Sequence, residues 1–531
     1  MNSYYGLNIQ RDEKEDQHSR QLVDKWIFIT LMAVLILVPL LIGSHVSNVI
    51  SPLISDNSLL SSGLRGDMYT YYKYVTLITL TIVAFLLFLY KMFILGYKLP
   101  MRIILYFFVV FSIAVLISTM FSPNKTIALF GQYNRADGAY SYLCYIILMF
   151  IAMNIEYPKK VLEYVLYAFY PVVFLNFVLI MMNFTGHDVL SYRFYQKIMT
   201  MFDPKGVTFG AGSYELGTFS HGNYISGMFS IMTIMFLSWA VIDKNIIRRF
   251  INVFVALLSM ATLLMGTSNS GFFTFLCMTP FIIWLAIRSS NKKLAIISLV
   301  VFLILSASTL NILALKKPIV WDESVGMFIK HNPYMGNPAK QTSLKSSSGL
   351  QPSIIVEHKV YAADNKFILP VLPKSAWTAG TGRIYIWKEA LKLVAERPFF
   401  GYGLDTILYH FPDFNIEARA NLSEATIVDK THSLYVGVIY GTGIVGMIGF
   451  LGILIIIGWT ALKEILRFKP TSGFIVPLCM AWITYLIQAL FNDSVLGVTS
   501  SFFTIGGVLL AVLYKKKEIG IKEIQFNKNI I

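Results

Sequence analysis

The chain has 531 residues, of which 56% are hydrophobic and only 14% are charged, whereas soluble domains are usually about a quarter charged. Water is therefore excluded as the main solvent of the protein. The formal net charge of +15 does not indicate a nucleic-acid partner, because the basic residues form short clusters between apolar segments instead of one continuous patch.

Long apolar stretches follow one another along the chain from Trp26 to Leu513. Lipid forces a spanning segment to satisfy its backbone hydrogen bonds internally, as a helix does. The sequence therefore predicts an all-α, polytopic integral membrane protein with about 12 transmembrane helices, each needing roughly 20 apolar residues. The predicted spans are 26–43, 74–96, 102–119, 139–154, 161–183, 223–241, 250–267, 271–287, 294–315, 433–460, 473–490 and 496–514.

Basic residues gather on alternate connections between these spans. Because cytoplasmic loops carry an excess of Lys and Arg, the clusters predict that both termini are cytoplasmic. The predicted order is a tail (1–25), helices one to nine (26–315), a large extracytoplasmic loop (316–432), helices ten to twelve (433–514) and a second tail (515–531). The clusters contain Lys91, Lys98 and Arg102; Lys159 and Lys160; Lys244, Arg248 and Arg249; Arg288, Lys292 and Lys293; Lys463, Arg467 and Lys469; and Lys515, Lys516 and Lys517.

The large loop combines a polar segment at 336–366, whose composition predicts a flexible insertion, with a helix signal at 382–396. A glycine opens that signal and apolar residues recur in it at helical spacing. The pattern predicts an amphipathic helix of about four turns along the outer membrane surface, with its apolar face toward the membrane or the bundle. That face contains Ile384, Trp387, Leu391 and Val394, and Pro398, Gly401 and Gly403 follow it.

Polar residues that could perform chemistry gather in the outer segments. Charged residues are almost absent from the predicted spans, which argues against an ion-driven transporter, and no nucleotide-binding glycine motif is present. Arg135 and Asp137 stand just before the fourth span, where a turn with a solvated ion pair is the simpler interpretation. Asn223 stands where the sixth span begins, and helix capping by Asn, Ser or Gly is the simpler interpretation there.

Arg383 and His432 carry more specific signals. A cation at a helix N-terminus opposes the helix dipole, so Arg383 indicates an anion bound between its side chain and the free amides of the helix. The alternative is an arginine among the lipid headgroups, with Trp387 as an interfacial anchor. His432, followed by Ser433, stands at the outer start of the tenth span, where it is either a base or a capping residue.

Together these stretches resemble the O-antigen ligase and O-antigen polymerase superfamily of membrane glycosyltransferases. His432-Ser433, followed by Val436 and Gly443, is similar to the family's His-Asn/Ser-x-x-Leu-x-x-x-x-x-x-Gly motif, with Val in place of Leu. The loop also resembles the family's Arg, Trp and Pro-x-x-Gly-x-Gly run through Arg383, Trp387, Pro398, Gly401 and Gly403. Weaker resemblances involve Arg135 with Gly138, and Gly217-Thr218 with Asn223.

The resemblance implies a metal-independent, inverting glycosyltransferase without a cofactor, in the cytoplasmic membrane of a bacterium. Its donor would be a glycan on a polyprenyl diphosphate carrier, and its acceptor a glycan, a lipid or a protein. Its surroundings would be membrane lipid, and no nucleic acid is expected. The resemblance also implies that Arg383 binds the donor diphosphate, that His432 activates the acceptor, and that Asn223, Trp387 and Ser433 support the site.

The chain departs from the family at the second diphosphate ligand. Family ligases place another arginine in the outer loop before the sixth span, where this chain has Glu215. Arg135 and Arg193 both remain candidates for that ligand. The resemblance does not separate a ligase from a polymerase. Two alternatives of other classes also remain, a flippase for lipid-linked oligosaccharides and a non-catalytic partner in a polysaccharide assembly complex.

Overall fold

The structure is a computed structural model, and the insertion predicted at 336–366 and the position of Glu215 lie outside the residues that it describes. Those residues are 13–53, 61–204, 217–329, 331–335, 373, 375, 382–422, 426–469 and 473–528, with side chains as far as Lys516. The helices are α1 (Glu13–Leu40), α2 (Tyr71–Phe93), α3 (Ile104–Phe121), α4 (Lys125–Phe130), α5 (Ala139–Met153), α6 (Val161–Tyr167), α7 (Phe169–Phe184), α8 (Arg193–Met199), α9 (Gly222–Ile242), α10 (Ile246–Met265), α11 (Asn269–Arg288), α12 (Lys292–Lys316), α13 (Ile319–Asp322), α14 (Arg383–Glu396), α15 (Ile416–Asn421), α16 (Leu434–Leu466), α17 (Ile475–Gln488) and α18 (Leu496–Lys528). Strands β1 (His45–Val49) and β2 (Gly63–Asp67) form an antiparallel hairpin between α1 and α2.

The predicted all-α, polytopic architecture is confirmed. Ten stretches of described helix, one of them made of α6 and α7, are long and apolar enough to cross a membrane. Two shorter apolar helices, α5 and α17, stand at the two remaining predicted positions. The helix ends differ most near the termini: α1 begins at Glu13 and α18 continues to Lys528. Charged residues with good helix propensity extend both helices beyond their apolar parts.

The buried fraction of each helix shows whether it lies at the centre of the bundle or at its rim. The most apolar window of α9 is 94% buried within the protein and that of α18 is 89% buried, against 28% for α2 and for α12. Helix α9 packs against α10, α11 and α17, while α16 packs against α3 and α18 against α5. Small residues such as Ser226, Gly227 and Ser230 let neighbouring helices approach α9 closely. Helix α9 is therefore central, and α2 and α12 leave much of their surface for lipid.

Helix α14 lies where the sequence predicts a helix over 382–396. Its buried face differs in part from the predicted apolar face, because Ile384 and Leu391 are exposed on the protein. The partner decides this: α14 packs against α16 and against the chain between them, so the side turned toward α16 is buried. That side contains Tyr385, Ile386, Ala390 and Val394.

Helix α16 is interrupted at Gly443, where φ is 66°. The chain that follows α14 runs into this interruption, and the Ile444 amide donates to the Pro398 carbonyl at 2.8 Å. A Cβ at Gly443 would overlap the backbone of Phe399. Glycine is required here because it tolerates positive φ and lets two backbones touch. Gly443, the glycine of the His432 motif, thus holds the loop motif, which is the segment 398–403 after α14, against α16.

Candidate active site

One end of the bundle brings together the N-termini of α2, α5, α9, α16 and α18. The Thr70 hydroxyl, just before α2, donates to the carbonyl of Asn134 before α5 at 2.8 Å. The Asn492 side chain, before α18, donates to the Asn223 carbonyl in α9 at 3.0 Å. The Leu434 amide at the start of α16 donates to the Asn492 carbonyl at 2.8 Å. Helix N-termini carry partial positive charge, so this end of the bundle favours anions.

His432 precedes α16 at this end and is held through its neighbour Thr431. The indole of Trp387 in α14 donates to the Thr431 carbonyl at 2.9 Å. The Thr431 hydroxyl donates to the Ser433 carbonyl at 2.8 Å and lies 3.2 Å from Oδ1 of Asp493. His432 has a φ of 54°, a conformation that is costly for a non-glycine residue and clusters at functional sites. The histidine backbone is therefore fixed from α14 on one side and from the connection before α18 on the other.

The His432 imidazole faces a carboxylate. Its Nδ1 lies 3.7 Å from Oδ2 of Asp493, a buried oxygen that has no hydrogen-bond partner among the described residues. Burial lowers the pKa of His432, the Asp493 carboxylate opposes this shift, and the positive charges of Lys430 and Arg383 add to it. The ring is therefore neutral at neutral pH, with Nδ1 toward Asp493 and Nε2 left for a substrate.

Arg383 begins α14 after Gly382, whose φ is 81°. Its Nε is buried and has no hydrogen-bond partner within the part of the chain that the structure describes. Burial lowers its pKa, and the charge of Asp493 opposes that shift. Arg383 in turn contributes to the lowered pKa of both His221 and His432, which places these side chains in one electrostatic neighbourhood. A guanidinium at a helix N-terminus suits a phosphate group.

Arg135, one of the two predicted second ligands, is already engaged. Its Nε and Nη2 lie 2.9 and 2.7 Å from Oδ1 of Asp405, and its Nη1 lies 2.6 Å from Oδ2 of Asp429. Burial lowers its pKa, but the two carboxylates outweigh burial and raise the pKa above its ordinary value. Arg135 is therefore neutralised from two sides and ties the segment before α5 to the large loop.

Lys430 is a further cation beside the histidine. Its Nζ lies 3.1 Å from the Tyr224 hydroxyl and 3.8 Å from the Asp429 carboxylate, and its charge lowers the pKa of His432. Arg193, the other predicted second ligand, is the exposed first residue of α8. Over the described ranges, no hydrogen bond or ion pair joins Arg193 to His432 or Lys430. The structure therefore brings Lys430, and not Arg193, to the histidine.

Two of the predicted supporting residues contribute through their backbone. The Asn223 amide donates to Nδ1 of His221 at 3.1 Å, so an imidazole caps α9 where capping by Asn, Ser or Gly is predicted. Burial first, and then Lys430, lower the pKa of His221 to about 4, which keeps this nitrogen free to accept. Ser433 is the N-cap of α16 without a side-chain capping bond. Of the three supporting residues, Trp387 is the one whose side chain holds the histidine segment.

Asp493 and Asp405 are site residues that the sequence analysis did not predict. Asp493 is the acidic residue in 491–495, the short connection between two predicted spans. A carboxylate confined between two apolar spans is costly and often functional, so its position was a usable signal. Asp405 follows Gly403 by two residues and has a φ of 60°. Nothing local in the sequence shows that Asp405 reaches Arg135.

Two narrow cavities flank Arg135 at this end of the bundle. The first, here the aspartate cavity, is lined by Asp137, Asp405 and Asp493 together with Arg135 and Lys430, among others. Burial, and then the charge of Asp405, hold the pKa of Asp137 well above its ordinary value. The second cavity, which we call the lysine cavity, also has Arg135 in its wall and lies toward α2. Its wall includes Tyr69, Lys73, Asn134, Ser220 and Tyr224.

Residues 254–451 match the family described as O-antigen ligase, and no curated protein matches the chain. The matched range begins within α10 and ends within α16. It therefore contains Arg383 and His432 but neither Arg135 nor Asp493. The match confirms the resemblance that the two late motifs carry. With its many apolar helices, the chain is a multi-pass bacterial membrane protein of glycan assembly whose residues 254–451 are similar to the O-antigen ligase family.

Proposed function

We propose that the protein is a membrane glycosyltransferase of the O-antigen ligase or polymerase type. It takes glycan from a polyprenyl diphosphate carrier and transfers or polymerises it at the outer face of the cytoplasmic membrane during cell-surface polysaccharide assembly. The observation that carries the proposal is the hydrogen bond of 2.9 Å from the Trp387 indole, one turn after Arg383, to the carbonyl of Thr431 next to His432. It connects a guanidinium at a helix N-terminus with an imidazole that burial keeps neutral. Glycosyl transfer needs these two groups, a cation for the leaving anion and a base for the incoming hydroxyl.

Arg383 acts on the donor. As the bond between the anomeric carbon and the diphosphate oxygen breaks, negative charge develops on the departing diphosphate. A guanidinium holds two phosphate oxygens with parallel N–H donors, so it stabilises this charge without a metal ion. Lys430 supplies a second cation beside His432. Arg135 is less suited to that role, because a diphosphate would first have to displace its two carboxylate partners.

His432 acts on the acceptor. Its Nε2 takes the proton of an acceptor hydroxyl while the hydroxyl oxygen attacks the anomeric carbon from the face opposite the diphosphate, which inverts the configuration. The Asp493 carboxylate, 3.7 Å from Nδ1, stabilises the imidazolium that forms. A small rotation of either side chain brings the two groups to hydrogen-bond distance. The glycosidic bond forms, the carrier diphosphate leaves, and His432 later returns the proton to solvent.

Purified protein in lipid vesicles, supplied with a polyprenyl diphosphate oligosaccharide of defined length and a candidate acceptor, tests this function. We expect release of carrier diphosphate together with a lengthened glycan. A single addition indicates ligation, and a ladder of products indicates polymerisation. Carrier that crosses the membrane with its glycan still attached would indicate a flippase. Either that result or an intact carrier beside folded protein contradicts the proposal.

A further inference from the structure

The lysine cavity contains a buried cation that the proposed reaction does not use. Lys73, the third residue of α2, has 2% of its surface exposed and lines the cavity. Its Nζ donates to the Thr218 carbonyl and lies 4.7 Å from the centre of the Phe219 ring. No second acceptor for this ammonium group occurs among the described residues. Part of its donor capacity is therefore available to the cavity.

No carboxylate forms an ion pair with Lys73 within the described parts of the chain, and the charge of Asp67 acts on it only from a greater distance. The described wall of the lysine cavity contains no acidic residue, and its other cation, Arg135, is already paired with two carboxylates. The aspartate cavity differs, since three carboxylates line it. Burying an ammonium group without a counter-ion costs free energy that the rest of the fold must supply. Of the two cavities, the lysine cavity is therefore the one suited to an anion.

The size and the wall of the cavity indicate which anion it takes. The space beside Lys73 is too small for a whole sugar ring, so only an anionic group of the ligand reaches the ammonium group. The aromatic rings of Tyr69 and Tyr224 belong to its wall, and Asn134 and Ser220 are exposed lining residues. Aromatic faces beside amide and hydroxyl groups are the contacts that a sugar ring makes.

We propose that the lysine cavity binds the carboxylate of an acidic sugar in the glycan, with Lys73 as its counter-ion and the sugar ring at the mouth of the cavity. This inference rests on the proposed function for the nature of the ligand, but binding is measured without any transfer step. The Tyr224 hydroxyl on this wall also accepts from Lys430 at 3.1 Å, which connects the cavity to the histidine site. The protein consequently selects glycans that carry a uronic acid at the position whose carboxylate binds Lys73.

Glucuronate is the probe, and the thermal midpoint (Tm) of the purified full-length protein in detergent is the readout. We expect glucuronate to raise Tm with increasing concentration and glucose at the same concentrations not to. Lys73→Gln should weaken glucuronate binding by about tenfold or more, because a hydrogen bond between charged groups is lost. Without ligand, Lys73→Gln should have an equal or higher Tm, because it removes an unneutralised buried charge.

Asn134→Ala keeps the test valid if Lys73→Gln does not fold, because Asn134 is exposed and its loss should weaken glucuronate binding alone. Lys388→Gln on α14 is the matched control and should bind glucuronate as the wild type does. Absence of stabilisation by glucuronate, equal stabilisation by glucose, or stabilisation that survives Lys73→Gln would overturn the proposal. Inorganic phosphate that stabilises as well as glucuronate, through Lys73, would show an unspecific anion site and overturn it too. Glucuronate binding without any glycosyl transfer would refute the proposed function and leave the site standing.

Discussion

The surroundings of Arg135 and Arg383 decide how each arginine is used. Both are partly buried at the same end of the bundle, yet carboxylates flank Arg135 at 2.6 and 2.7 Å. Among the described residues, only the charge of Asp493 opposes the effect of burial on the pKa of Arg383. A neutralised guanidinium holds segments of the fold together, and an unneutralised one attracts an anion. Arg135 therefore acts as a scaffold residue, whereas Arg383 is the arginine that we propose binds the donor.

Arg383→Lys keeps the positive charge but loses the forked donors that hold two phosphate oxygens. We expect turnover of the polyprenyl diphosphate donor to fall by about 10²-fold or more, as when one donor to a developing anion is removed. Protein abundance in the membrane should be unchanged. Arg397→Lys, at the opposite end of α14, is the matched control and should remain active. Wild-type turnover in Arg383→Lys would return Arg383 to an interfacial role among the headgroups.

His432→Ala should lower turnover by about 10² to 10⁴-fold while donor binding stays largely intact, because a general base acts on the acceptor. Burial lowers the pKa of His432. Turnover should therefore be steady through neutral pH and fall as pH drops through a pKa below the ordinary histidine range, where protonation removes the lone pair. Initial rates over a pH series measure both effects.

Asp493→Asn is the companion variant for this pH profile. The Asp493 carboxylate raises the pKa of His432 against the effect of burial, so its removal should shift the acid limb to still lower pH. A His432→Gln protein with near-normal turnover and an unchanged profile would exclude the general-base role. The assignment to glycosyl transfer would survive that result.

The interruption of α16 shows how one element positions another. Gly443 and Gly473 both have a φ of 66°, but an added Cβ meets the Phe399 backbone at Gly443 and no described residue within 4 Å at Gly473. Gly473→Ala therefore measures the cost of positive φ alone, about 1–3 kcal/mol. Gly443→Ala should lower Tm further and reduce turnover, because it separates the loop motif from α16. Equal Tm values for the two variants would show that the contact is dispensable.

The sequence predicts where α14 begins and ends better than it predicts which face of α14 is buried. Its start at a glycine and its end before a proline are local signals, and the structure has the helix at Arg383–Glu396. The buried face was only partly predictable, because apolar periodicity does not show whether the neighbour is lipid or α16. Val394 is buried against the protein, while Ile384 and Leu391 are exposed on it. The contact with α16, and not the helical spacing of the apolar residues, determines which face of α14 is buried.

The direction of the helices links the whole molecule to its membrane. Helices α16 and α18 begin at the same end of the bundle, so α17 must run back between them although it has only 14 residues. Helices α2, α5 and α9 also begin at that end. This alternation is what twelve crossings require, and together with the basic clusters it supports an outer position for the site.

Single cysteines at Ser347 and Lys516 test this orientation. An impermeant thiol reagent applied to intact cells should label Ser347→Cys and leave Lys516→Cys unlabelled, because the basic clusters place the first outside and the second inside. Permeabilised cells provide the control, in which both positions should react. Labelling of Lys516→Cys alone in intact cells would reverse the topology and remove the site from the outer face.

The sequence by itself determined the membrane architecture and the motif residues of the candidate site. Both depend on short-range patterns: the length of an apolar stretch sets a span, and a glycine, a proline or a charge at a helix end sets a boundary. Arg383 and His432 became candidates because each stands at the predicted start of a helix and belongs to a short motif that resembles the O-antigen ligase and polymerase superfamily. Neither selection needed any knowledge of distant residues.

Only the tertiary structure decided which charged groups are paired. The Thr431 hydroxyl reaches Asp493 across 62 residues, Lys73 reaches Thr218 across 145, and Arg135 reaches Asp405 across 270. Contacts over such separations follow no local period. The charge state of a buried group depends on all its neighbours at once. For this reason the fold, and not the order of residues, neutralises Arg135, leaves Lys73 without an ion pair among the described residues and sets a carboxylate beside the imidazole.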